Sequence, residues 1–231
     1  MSVLQRVIAS IFISTIPFAA LGGDDSFPPD PTHERVQPTI DCDRPEGLPP
    51  EAPCIGTIVT VDTAKNLIYL YRDGSLVARA PAATGMNRLL ITPRNQWLFR
   101  TPQGRMRILR KVVDPVWVKP DWAFVEERRP VPPGNSPTRR ERGVLGKYAL
   151  DLGDGIMIHG TREIDSLGRN ASHGCIRVGR EMLEKIYRAV DVGTAVYVFA
   201  SEPLTYTVED RRTGRTFELE SVSELFAYLN R

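Results

Sequence analysis

Beyond residue 54 the apolar residues of this chain come in short runs, punctuated by Gly, Pro, Asn and Asp. Residues 55–61, 67–71 and 76–82 are rich in Val, Ile, Leu and Tyr, and Arg72-Asp73-Gly74 between the last two makes a hairpin turn. Further strands are expected around residues 106–113, 149–152, 155–159 and 195–200. One internal helix is expected over 180–190, where Leu183, Ile186, Tyr187 and Val190 share a face. After Pro203, Tyr206 and Val208 are set to face Phe217 and Leu219 across a turn ending at Gly214. Ser221-Val-Ser-Glu224 then forms a capping box before a helix bearing Val222, Leu225, Phe226 and Leu229. The pattern predicts a mostly β chain, sandwich- or barrel-like, with one internal helix and a C-terminal ββα extension over 201–231.

The N-terminal quarter reads differently. Arg6 precedes an apolar run from Val7 to Ile16, Pro17 breaks it, and Ala19, Ala20, Gly22 and Gly23 follow. That describes a secretory signal peptide over residues 1–22 and so an exported protein of the periplasm or cell envelope; an uncleaved anchor is the rival reading. No cysteine lies near this exit to take a lipid, and no other stretch reaches transmembrane length. Residues 23–54 read as a proline-rich arm, with eight of the 19 prolines between positions 28 and 53. Cys42 and Cys54 close a short loop in that arm. In an oxidising compartment they are expected to pair, which contributes roughly 2–3 kcal/mol where geometry permits. Cys175 is left alone. Lys plus Arg total 30 against 28 Asp plus Glu, a net charge of +2, which offers no electrostatic case for nucleic acid.

The chemistry-bearing stretch runs from Ile158-His159-Gly160-Thr161 to Ser172-His173-Gly174-Cys175-Ile176-Arg177. Two of the chain's three histidines lie within 16 residues of Cys175. A thiol near its ordinary pKa is only a few per cent thiolate at neutral pH, so a nucleophilic cysteine needs a base beside it. A histidine serves, and can afterwards protonate a leaving amine. Gly174 lets the backbone turn sharply and aim N–H groups at a developing oxyanion. His159 ends an apolar strand, from which its ring projects into a cleft. Serine acyl-enzyme, α/β-hydrolase, HExxH, dinucleotide and P-loop signatures are absent from the sequence.

This stretch closely resembles the signature of the L,D-transpeptidases (YkuD-type catalytic domain), H-G-T…S-H-G-C-[IL]-[RN]. The resemblance continues through Leu67-Ile-Tyr-Leu-Tyr71, Ala83-Thr84-Gly85, Thr101-Pro102-Gln103-Gly104, Asp114-Pro115-Val116-Trp117, Leu145-Gly146 and Val192-Gly193-Thr194-Ala195-Val196, covering about residues 55–200. It implies that Cys175 is the nucleophile and His159 the general base. His173 and Gly174 would shape the oxyanion site, and Arg177, Gly160, Thr161 and Ser172 the substrate pocket. It further implies peptidoglycan stem peptides as donors, a thioester on Cys175, and a stem amine, water or an envelope protein's lysine as acceptor. Carbapenem-type inhibitors are expected; no metal or organic cofactor is. Two departures stand out: Met157 replaces a small residue, and residues 87–99 lengthen the path to Thr101, remodelling one wall of the cleft.

Other readings compete. Cys175, His159 and His173 are acceptable zinc donors, but only linker residues remain to supply a fourth Cys or His. A papain-like peptidase has its cysteine before its histidine. Sortases share the order but need a different motif around the thiol. A peptidoglycan-binding protein that has lost its chemistry would have no need of the intact His159, His173, Gly174, Cys175 set. Seven basic and no acidic residues between 88 and 111 make either a solvated strand face or a cradle for stem carboxylates.

Overall fold

The computed structural model describes residues 44–230. Three strands open it: β1 (Thr57–Asp62), β2 (Leu67–Arg72) and β3 (Ser75–Gly85). A hairpin follows, β4 (Arg88–Ile91) and β5 (Gln96–Phe99), then β6 (Gly104–Arg107), β7 (Arg110–Val113) and β8 (Val116–Val118). The short helix α1 (Asp121–Glu126) precedes β9 (Arg140–Arg142), β10 (Tyr148–Gly153), β11 (Ile156–His159), β12 (Asn170–Ser172) and β13 (Ile176–Val178). The chain ends with α2 (Arg180–Ala189), β14 (Ala195–Phe199), β15 (Tyr206–Asp210), β16 (Arg215–Leu219) and α3 (Val222–Leu229).

The main sheet runs β6-β14-β1-β2-β3-β13-β11-β10-β7, with β12 beside β3. It is curled, and its inner face and α2 enclose one core: Val59, Val61, Ile68, Leu70, Leu150, Ile158, Ile176 and Val196 meet Met182, Leu183 and Ile186. The expected helix at 180–190 and the opening strands are borne out. The single strand expected over 106–113 is not. Ile108 is fully buried, Leu109 is exposed, and the chain turns between them, so β6 and β7 lie at opposite edges of the sheet. A continuous basic-apolar run gives no sign of that corner.

Residues 44–54, expected as part of a polar arm, pack instead. Leu48 and Ala52 are buried against Ile58, Tyr69, Tyr71 and Tyr197 on the other face of β1, β2 and β14. Thr60 Oγ1 donates to the Gly47 carbonyl at 2.5 Å, and Tyr71 OH to the Glu46 carbonyl. Covering both faces explains why β1 and β2 read as nearly unbroken apolar runs rather than alternating ones. Cys54 is held in a disulfide and Cys175 is a free thiol. Cys42, its expected partner, lies outside the described residues, as does the expected signal peptide. Among the described residues no helix is long and apolar enough to cross a membrane.

The C-terminal ββα unit pairs as expected, Tyr206 with Leu219 and Val208 with Phe217. It is joined to the rest by a contact the sequence does not suggest. β15 runs parallel to β4, so the longer segment at 87–99 and the C-terminal strands form one four-stranded sheet, β16-β15-β4-β5. Leu89, Ile91, Tyr206, Val208 and Leu225 make its core. Ser221 caps α3 as expected, its Oγ accepting from the Glu224 N–H; only the return bond is shifted by one, Glu224 Oε2 accepting from the N–H of Glu220. A second internal helix, α1, adds to the one expected; at six residues behind Pro120 it is too short to show a period.

Candidate active site

β11 and β13 are parallel neighbours, with His159 registered against Arg177. The register puts His159 and Arg177 on one face, and Cys175 stands at the turn that enters β13. His159, Cys175, His173, Arg177, Thr161 and Ser172 all line one cleft of about 1140 Å³. Gly160 joins through its backbone: its N–H donates to the Leu145 carbonyl at 2.8 Å and its carbonyl stands 2.6 Å from His159 Nδ1. The sequence-predicted site residues are thus brought together.

A carbonyl only accepts, so His159 Nδ1 carries the proton and Nε2 keeps its lone pair. Burial lowers the His159 pKa to about 4; the Gly160 carbonyl works against this, and the Arg177 charge adds to it. The ring is therefore neutral at pH 7 and able to take a proton. Cys175 is half-buried, and the atoms packed round its sulfur push the thiol pKa up. A backbone N–H from Met157 and the Arg177 charge oppose that rise. Its S–H donates to the Gly155 carbonyl at 3.4 Å. Thiol and imidazole are both neutral at rest.

The turn carrying the thiol is held by two hydroxyls. Ser172 Oγ donates to the Cys175 carbonyl at 2.5 Å and accepts from the Gly174 N–H at 3.1 Å. Thr101 Oγ1 donates to the Gly174 carbonyl at 2.9 Å while accepting from the Gly85 N–H at 2.8 Å. Gly174 has φ of 135°, outside what side chains tolerate, and a Cβ there would lie 3.1 Å from the Arg100 carbonyl. A Cβ on Gly85 would lie 2.4 Å from the Thr101 nitrogen, so Ala83-Thr84-Gly85 is glycine-ended to let the β5–β6 connection pass. In the sequence Thr101 figures only as part of a stretch shared with the resembled family; its reach to Gly174, 73 positions on, has no local signal.

His173 is walled in. Its ring stacks on Trp122 at 3.8 Å, meets Phe99 edge-on at 4.7 Å, and its Nε2 lies 2.6 Å from Glu126 Oε2. Glu126 is also paired with Arg88, which bonds Glu209 at 3.2 Å. A carboxylate alone would raise the histidine's pKa. Here burial and then the Arg88 and Arg177 charges lower it to about 4, and Glu126 is itself paired with Arg88. His173 is therefore a neutral Nε2–H donor. Trp122 and Glu126, both from α1, are the site residues that sequence reasoning does not find. Arg177 pairs with Glu163 at 2.5 Å, and the Glu163 N–H donates to Thr161 Oγ1 at 3.0 Å. No cluster of three or more metal-ligating side chains exists among the described residues.

A free cysteine and a neutral histidine thus line one cleft, residue types suited to nucleophilic chemistry. The family model of the YkuD L,D-transpeptidase catalytic domain matches residues 56–198, and the chain belongs to that family. It is 32% identical over 107 residues, 42% of this chain and 50% of the relative, to an L,D-transpeptidase-type reading frame in the ATP synthase region of Fuscovulum blasticum. It is 40% identical over 65 residues, 28% of this chain and 21% of the relative, to the probable L,D-transpeptidase YbiS of Escherichia coli. An L,D-transpeptidase structure from Mycobacterium smegmatis is 23% identical, with a TM-score of 0.46, over 63% of this chain and 59% of that one. The chain spans half or less of the length of the curated relatives it matches.

Proposed function

We propose that this protein is an exported, cysteine-dependent L,D-transpeptidase acting on peptidoglycan stem peptides. The observation that carries the reading is the 2.6 Å contact of His159 Nδ1 with the Gly160 carbonyl, which leaves Nε2 to act as the base in the cleft that also holds the Cys175 thiol. Cys175 Sγ attacks the carbonyl carbon of the donor's diamino-acid residue as His159 Nε2 takes the thiol proton. The oxyanion is held by main-chain N–H groups of the turn, that of Cys175 among them, since the Gly174 N–H already donates to Ser172 Oγ. The C–N bond breaks, the departing D-Ala amine receives the proton from His159, and a thioester remains on Cys175. An acceptor amine then loses a proton to His159, attacks the thioester and forms the 3→3 link, and the thiolate is reprotonated. Water in its place gives an L,D-carboxypeptidase, and a protein lysine gives wall anchoring.

Mass analysis tests this directly. Protein treated with a carbapenem gains one adduct, located on Cys175, and purified muropeptides yield products joined at the diamino acid. Cys175→Ser and Cys175→Ala remain folded and form neither, because a hydroxyl is too weak an acid for His159 to activate. No adduct on an intact thiol favours a binding protein on this scaffold, and near-normal turnover by either variant removes the nucleophile.

A further inference from the structure

Seven basic residues lie between positions 88 and 111, and the structure separates their fates. Arg88 is bound to Glu126 and Glu209, Arg110 to Asp151, Lys111 to the Val190 carbonyl and Arg107 to that of Gly193. Arg105 lies over Tyr197, and Arg94 sits at the tip of the β4–β5 hairpin beside a smaller hollow. Arg100 is the member of this set that lines the cleft holding Cys175.

The other cleft cations are occupied. Lys119 pairs with Glu127, Arg177 with Glu163, and Arg162 donates to the Gly143 and Arg142 carbonyls. Among the described residues Arg100 makes no ion pair; its guanidinium lies 5.7 Å from the ring centroid of Phe226, on α3 of the C-terminal unit. Its own backbone abuts the nucleophile turn, where its carbonyl limits the space at Gly174, and the next residue, Thr101, holds the Gly174 carbonyl. A half-buried guanidinium laid on an aromatic face, with its donors uncommitted, is organised to receive a carboxylate.

We infer that Arg100, braced by Phe226, is the specificity residue that binds a carboxylate of the acyl-donor peptide beside Cys175. This rests on the proposed acyl-transfer role of the cleft. It gives the C-terminal unit a part in substrate choice, and it confines the basic segment's role in binding to one side chain.

Alkylation of Cys175 by iodoacetate and by iodoacetamide, followed by peptide mass analysis, compares an anionic with a neutral probe at the same sulfur. In Arg100→Gln the iodoacetate-to-iodoacetamide rate ratio falls on the order of 3–10-fold, by less at high salt. Arg100→Lys restores part of the ratio, and Phe226→Ala lowers it less than Arg100→Gln. On donor tetrapeptides Arg100→Gln raises KM for the free acid. Donors amidated at the C-terminus or at the diamino-acid carboxylate tell which of the two is held, since the KM effect vanishes for one of them. An unchanged alkylation ratio in a folded Arg100→Gln protein overturns the inference. If no donor is turned over by the wild type yet the ratio still depends on Arg100, the transpeptidase reading falls and the anion receptor stands.

Discussion

At the residue scale the two histidines of the site differ in what holds them. His159 is fixed through one nitrogen and leaves the other toward the cleft, whereas His173 is clamped between two aromatic rings and bonded to a carboxylate. A ring so clamped cannot swing between a thiol and a leaving amine, as a general base and acid must. The pH dependence of Cys175 alkylation should separate them. Wild-type rates climb well into the alkaline range, since burial raises the thiol pKa. His159→Ala should slow alkylation near neutrality and move the apparent thiol pKa further up, with turnover down about 10²–10⁴-fold. His173→Ala should leave that pKa nearly in place and raise KM instead. An upward shift only on removal of His173 would exchange the two roles.

Among the elements, the β4–β5 hairpin and the C-terminal ββα unit share a core, so each requires the other. Leu225 is fully buried against β4 and β15, and Leu225→Ala should cost about 2–4 kcal/mol in urea denaturation. The loss should reach the site, because β4 begins with Arg88, which ties Glu126 and through it His173. A variant that melts α3 alone and leaves muropeptide KM untouched would contradict this. What the sequence discloses follows element length and locality. The hairpin around Asp73-Gly74, the α2 face and the Val208–Phe217 pairing are written in neighbouring residues, and the Cys175 and His159 motif in short strings. Glu126 meeting His173, Thr101 meeting Gly174, and β4 meeting β15 join positions 47, 73 and about 120 residues apart, which no period or turn signal encodes.

Over the whole molecule, acid stability should fall in two stages. Both cleft histidines have folded pKa values lowered to about 4, below the ordinary 6.5, so between those values the unfolded chain binds more protons. Stability is therefore full above pH 6.5 and is lost as pH falls toward 4. Asp210, lowered to about 2 by Arg212, gives a further loss below the usual carboxylate range. Denaturation midpoints should show the first decline shrinking in His173→Gln; an unchanged decline would place its origin elsewhere. The corner at Ile108 and Leu109 has another consequence. Because β6 and β7 are one short stretch of backbone serving both margins of the main sheet, that stretch acts as a clasp. Neither margin can peel without tugging on the other, and neither offers a long open ladder for another chain to extend. Amides on the two strands should exchange with solvent at nearly equal free energies, as members of one cooperative unit.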